Sequence, residues 1–178
     1  MIYGPKKNPD IRKGDYHLIV NDKTESIKCY NSAGKLHLFG GKHSTLPCIA
    51  KGRYGDSTWV WGGDTPPGLY RLGEIFISKP WESKAKIWFP YGKYCWDMVE
   101  QEGQENIRGR AGICLHGGGS TAPYPLAKYQ KLTRTLGCIR MHNQHLEDYI
   151  FPLTHKRVLG FPVRRKNAVW LSVYQDKD

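Results

Sequence analysis

Two glycine-flanked segments carry the residue types best suited to chemistry. The first, Arg110-Ala-Gly-Ile-Cys-Leu-His-Gly-Gly-Gly-Ser120, presents His116; the second, Thr135-Leu-Gly-Cys-Ile-Arg-Met-His-Asn143, presents Cys138. A thiol and an imidazole suffice for nucleophilic acyl transfer: the imidazole takes the thiol proton and the sulfur attacks a carbonyl. Glycines beside both groups let backbone approach a bound molecule without a Cβ in the way. Gly137, directly before Cys138, frees main-chain N–H groups, so those of Gly137 and Cys138 are candidate oxyanion donors. Arg140 offers a planar fork that suits a carboxylate, or equally a structural ion pair. Thr135 is either a hydrogen-bonding member of the Cys138 loop or an ordinary loop threonine.

Two other chemistries are open to these residues. Cys114-x-His116 and Cys138-x-x-x-His142 supply two thiols and two imidazoles, enough in number for a tetrahedral zinc. The spacing lacks a Cys-x-x-Cys knuckle, and Cys-x-His on a strand chelates poorly. A basic, aromatic-rich chain could also bind nucleic acid by stacking and phosphate contacts, but no nucleic-acid motif is present and the tryptophans do not interleave with Lys/Arg.

Thr135-Leu136-Gly137-Cys138-Ile139-Arg140 resembles the Ser/Thr-His-Gly-Cys-apolar-Arg/Asn signature of the L,D-transpeptidase catalytic domain (YkuD-type). His116-Gly117 resembles its upstream histidine, and Asp64-Thr65-Pro66-Pro67-Gly68-Leu69-Tyr70 its Thr-Pro-x-Gly-x-Phe/Tyr hairpin. The matches come in family order and reach from about Tyr16 to Val173. Leu136 stands where the family usually has histidine, and the 21 residues between His116 and Cys138 make a slightly long spacer.

The resemblance implies a cysteine acyltransferase working on peptidoglycan stem peptides, with Cys138 as nucleophile and His116 as base. It implies that the Gly117 carbonyl orients the imidazole, and that no cofactor or metal takes part. Partners would be stem peptides and the anionic wall polymer, with no nucleic acid. The thioester would pass to an amine or, in an L,D-carboxypeptidase, to water. A wall-damaging effector or lytic enzyme with the same site is the alternative biological role.

The composition fits such a partner. Lys and Arg outnumber Asp and Glu by 27 to 16, a net charge of +11, which favours anionic surfaces in general. At 178 residues with 39% hydrophobic content the chain can bury one core. No apolar run approaches the ~18 residues of a membrane span, and no signal-peptide core follows the N-terminal charges. Five irregularly spaced cysteines, Cys29, Cys48, Cys95, Cys114 and Cys138, argue against a disulfide framework. The expectation is synthesis in a reducing cytoplasm and action in the periplasm or cell wall, after loss of a leader or by non-classical delivery.

The elements that must position the two groups read as mostly β, an L,D-transpeptidase-like sandwich or barrel with one or two short helices. Residues 1–14 form a loose lead-in and 15–178 the catalytic domain. Strands are expected at Tyr16–Val20, Ser26–Tyr30, Lys35–Phe39, 46–50, Leu69–Leu72, 86–89, 94–99, Ala111–His116, 156–159 and 168–174. Pro66-Pro67-Gly68 predicts a stiff turn. The family resemblance makes 73–109 a flap over the cleft; equally, its tryptophans Trp81, Trp88 and Trp96 could fill the core. Asn143 reads as an N-cap for a helix whose apolar positions are Leu146, Tyr149, Ile150 and Leu153.

Overall fold

The computed structural model describes residues 2–55, 58, 60–77, 91–102, 110–118 and 126–176. Eleven strands occur among them: β1 (Ile2–Tyr3), β2 (Tyr16–Asn21), β3 (Ser26–Asn31), β4 (Leu46–Pro47), β5 (Gly68–Ile77), β6 (Tyr94–Glu100), β7 (Cys114–His116), β8 (Ile139–Arg140), β9 (His155–Val158), β10 (Phe161–Arg164) and β11 (Val169–Asp176). The protein is mostly β, as its alternating apolar runs predict.

Nine strands make one sheet in the order β4-β3-β2-β11-β5-β6-β7-β8, with β1 added to β11. β11 runs parallel to β2 and antiparallel to β5, so the last strand sits in the middle of the sheet. The sheet curls until its edges meet. Leu46 pairs with Ile27 of β3, and three residues later Ile49 bridges Arg140 of β8. That short run joins both edges and gives the barrel-like form.

Period-2 burial explains the strands. Leu18 and Val20, Ile27 and Cys29, and Leu171 and Val173 point into the core, as do Tyr94, Trp96 and Met98 of β6. Trp96 is fully buried, and its Nε1 donates to Thr154 Oγ1 at 3.2 Å, which pins the helix to the sheet. Trp81, Trp88 and the strand expected at 86–89 lie outside the described residues, as do 78–90 and 103–109 of the flap region.

The helix, α1, follows β8 as expected. It comprises Asn143–His145, a π-helical Leu146–Ile150 and Phe151–Thr154. The wide π turn shifts the apolar face, so Leu146, Ile150, Phe151 and Leu153 are buried and Pro152 is exposed. Asn143 is not the N-cap: His142 precedes the helix and Asn143 is its first residue.

Several expectations are corrected. The lead-in is partly anchored, because β1 pairs with Gln175 and Asp176. Lys35–Phe39 is not a strand; Tyr30–Leu36 and Phe39–His43 are isolated bridges, since Leu36 and Leu38 have no cover and stay exposed. Residues 64–67 form no turn but a buried approach to β5. β9 does not close the main sheet; it pairs with β10 in a separate hairpin whose tip carries exposed Leu159 and Phe161. Among the described residues, no helix is long and apolar enough to cross a membrane.

Burial lowers the pKa of four histidines. His17, His142, His145 and His155 all have pKa values lowered from 6.5, desolvation being the largest cause in each. Below 6.5 the unfolded chain binds protons that the folded chain refuses, so stability falls as pH falls. The melting temperature should hold near neutrality and fall as pH drops below about 6.5. A flat thermal-shift profile over that window would show that these imidazoles titrate normally.

Candidate active site

β7 begins at Cys114 rather than Ala111 because Gly112 takes φ +72, which ends extended pairing. β7 pairs antiparallel with β6 (Cys95↔His116, Asp97↔Cys114) and parallel with β8 (Leu115↔Ile139). Leu115 and Ile139 enter the core. Alternation turns Cys114 and His116 to the opposite face, with Cys95 and Asp97 beside them. Cys138, just before β8, arrives on that face.

His116 and Cys138 therefore meet. Their side chains share a hydrogen bond that pulls the thiol pKa down. His116 Nδ1 lies 2.6 Å from the Gly117 carbonyl. A carbonyl only accepts, so the proton sits on Nδ1 and Nε2 is left as the acceptor facing sulfur. Tyr91 packs edge-on against the imidazole at 5.0 Å, and its carbonyl accepts from Gly117 N at 3.0 Å. His116 is buried and Cys138 half-buried.

The thiol does not rest as a thiolate. A hydrogen bond with Cys114 and burial push Cys138 up to about 12, outweighing His116. The Cys114 N–H donates to Cys138 Sγ at 3.4 Å. The sulfur is thus held protonated at rest, and its proton must move during attack.

The Cys138 loop is tightly held. Thr135 Oγ1 donates to Cys138 O at 2.6 Å and accepts from Gly137 N at 3.1 Å. The Gly137 N–H is therefore committed inside the loop, a correction to its expected oxyanion role. Among the described residues, the Cys138 N–H has no protein acceptor. Gly137 adopts φ +110, and a Cβ there would fall 1.5 Å from Arg110 Nη2. Arg110 is buried, and its guanidinium donates to the carbonyls of Thr58 (3.3 Å), Gly63 (3.3 Å), Asp64 (2.6 Å) and Leu136 (3.1 Å). Asp64 Oδ1 accepts from Gly52 N at 2.6 Å.

Arg140 is buried at the base of the loop. It donates from Nη1 to Thr133 O at 2.9 Å and to Thr133 Oγ1. Its Nε finds no acceptor among the described residues, so part of the fork is left unused by Thr133. Leu136 is 38% exposed, near Gly62, and its carbonyl serves Arg110.

Sequence reasoning missed Tyr91 and Arg110 as neighbours, grouped Cys114 with the pair only in the zinc alternative, and misread Asn143. Asn143 Oδ1 accepts from Lys93 N at 3.1 Å and Gly118 N at 3.2 Å, while Nδ2 donates to Ala127 O at 2.8 Å. It ties together the chain on either side of His116. Gly92 and Gly117 were the available signal, since a Cβ on either would strike Asn143 Oδ1. The geometry lends the zinc alternative no support. His142 packs against Tyr129 and His145, and its Nδ1 accepts from Gln130 N. Among the described residues, no group of three His, Cys, Asp or Glu side chains could hold a metal.

The L,D-transpeptidase catalytic domain family matches residues 15–156. The chain belongs to that family. Two solved structures agree in fold. The helical cell shape determining protein Pgp2 from Campylobacter jejuni is 19% identical, with a TM-score of 0.50 over 89% of this chain and 47% of that one. A mutant of Pgp2 gives 0.52 at 19% identity, covering 89% and 46%. An L,D-transpeptidase from Mycobacterium tuberculosis is 15% identical, with a TM-score of 0.48 and coverage of 88% and 57%. The chain spans about half the length of these proteins. No curated protein matches it.

Two outcomes follow for L,D-transpeptidase residues of this site. Cys114→Ala removes the largest influence raising the Cys138 pKa, so iodoacetamide should label Cys138 several-fold faster at fixed mildly alkaline pH, with the pH profile moved down. Slower labelling would contradict the proposed direction. Arg110→Lys replaces a fork by a point charge and leaves buried carbonyls unpaired, at a cost of about 2 kcal/mol. It should lower the denaturant midpoint, and Cys138 labelling should lose its uniform rate.

Proposed function

We propose that the chain is a cysteine acyltransferase acting on peptidoglycan stem peptides, an L,D-transpeptidase in activity as well as family. The observation that carries this reading is the oriented imidazole: Nδ1 bound to the Gly117 carbonyl, with the other nitrogen turned to the Cys138 sulfur. Such a pair abstracts the thiol proton as sulfur attacks. The scissile carbonyl is the one joining the L-centre of a diamino acid to a terminal D-Ala. Its oxygen becomes an anion, for which the Cys138 N–H is the available donor. The C–N bond breaks, His116 returns the proton to the leaving amine, and a thioester to Cys138 remains. An amine acceptor then attacks the thioester, giving a cross-link and restoring the thiol.

Arg140 adds positive charge near the sulfur, since the two interact electrostatically. A net charge of +11 favours residence on an anionic wall polymer. Reaching that polymer requires action in the periplasm or cell wall, and we infer that setting for the reaction.

The test is incubation with a disaccharide tetrapeptide, followed by mass spectrometry. The expected product is a dimer that has lost one D-Ala, absent with Cys138→Ala. His116→Ala should reduce the rate by about 10²–10⁴. Tripeptide without dimer would reassign the protein as an L,D-carboxypeptidase. Neither product, together with no covalent adduct from a carbapenem, would overturn the reading.

A further inference from the structure

Beside the nucleophile lies a second thiol that the reaction above does not use. Cys114 opens β7, and Cys138 precedes β8 by one residue. The parallel pair Leu115↔Ile139 makes Cys114 and Cys138 the next positions in register. Adjacent strands lie about 4.8 Å apart, inside the roughly 4.4–6.8 Å Cα separation that a disulfide spans. Both side chains leave the sheet on the face opposite Leu115 and Ile139. Their sulfurs converge on one acceptor: Cys114 Sγ is 3.5 Å and Cys138 Sγ 3.9 Å from the Gly112 carbonyl. The thiols also hydrogen-bond to each other. Both are free and half-buried, so a small oxidant can reach them.

We propose that Cys114 and Cys138 form a reversible disulfide that switches the nucleophile off under oxidising conditions and protects it from irreversible oxidation. The oxidant is a hydroperoxide. Cys138 sulfur attacks the peroxide oxygen, the O–O bond breaks, and sulfenic acid and water form when the oxidant is hydrogen peroxide. Cys114 sulfur then attacks the sulfenic sulfur, the S–O bond breaks, and a second water carries off the oxygen and the remaining thiol proton. Two sulfurs lose two electrons in total and one peroxide gains them. A dithiol reverses the change by exchange.

A third thiol gives the proposal its sharpest rival. Cys95 also hydrogen-bonds with Cys114, but it sits diagonally across the antiparallel β6–β7 pair, opposite His116 rather than Cys114. Diagonal positions there are about 7–8 Å apart, less suited to a bridge. Fully buried Cys29 and Cys48 lie in the core and take no part.

The disulfide rests on geometry alone; only the claim that it silences activity rests on Cys138 being the nucleophile. The experiment reads the two separately. The protein is treated with hydrogen peroxide, digested without reduction, and mapped by mass spectrometry, and its conversion of disaccharide tetrapeptide is measured before and after dithiothreitol. The expected result is a linked pair of peptides bearing Cys114 and Cys138, activity lost at least tenfold, and both changes reversed by dithiothreitol. Cys95→Ala should behave the same way. Cys114→Ala should form no link and lose activity irreversibly as Cys138 reaches sulfinic acid. A Cys95–Cys114 link with Cys138 free, or direct passage of wild-type Cys138 to sulfinic acid, overturns the proposal. The Cys114–Cys138 link in a protein that converts no stem peptide would sink the proposed function and leave the disulfide standing.

Discussion

Leu115 and Ile139 lie side by side across the parallel β7–β8 pair, both shielded completely from water. Burying such side chains stabilises by about 1.5–3 kcal/mol each, so slippage of either strand by one residue is heavily disfavoured. That register decides everything on the other face. With the two apolar residues inward, Cys114 and His116 must emerge outward, and Cys138 reaches the same side. A sulfur and an imidazole separated by 21 residues are thus brought together by an apolar contact that neither of them makes.

The electrostatics of the pair follow from what surrounds it. Cys114 and burial favour the protonated sulfur, and His116 opposes them without prevailing. A thiolate-imidazolium pair would be reactive at all times. A protonated sulfur stays quiet until a carbonyl arrives and its proton can pass to His116 in step with bond formation. Tyr91 belongs to the same environment: burial first, then the thiols of Cys138, Cys114 and Cys95, push its hydroxyl pKa up. Its ring and carbonyl hold the imidazole and Gly117 in place.

Much of this was legible in the residues, and the reasons for the rest are physical. Strands β2, β3, β5, β6 and β11 alternate clearly because each has one face on the core. Lys35–Phe39 alternates too, yet only Phe39 found cover, since a pattern cannot say whether a neighbouring strand exists to pair with it. The helix face was read correctly at Leu146, Ile150 and Leu153. The π turn that brings Phe151 inward left no periodic trace. Gly137 illustrates the deeper limit. Its type announces a close approach, and one occurs, but against the Arg110 guanidinium rather than a substrate. Cys114 entered the sequence reading only as a metal ligand, because only the parallel register shows that its thiol lies beside Cys138.

Arg110 explains how so irregular a loop can be rigid. It is buried, and a buried cation costs several kcal/mol unless its donors are satisfied. Four carbonyls satisfy them, from Thr58, Gly63, Asp64 and Leu136. Those acceptors come from two separate stretches of chain, and none belongs to a strand. Regular pairing cannot fix such segments relative to one another, because their backbone groups face in different directions. A planar fork with five N–H donors can, and an ammonium cannot. The same guanidinium fills the space beside Gly137, so the loop cannot relax toward it. Cys138 is consequently held from both ends: by β8 after it, and before it by a charge whose burial is tolerable only while the loop keeps its shape.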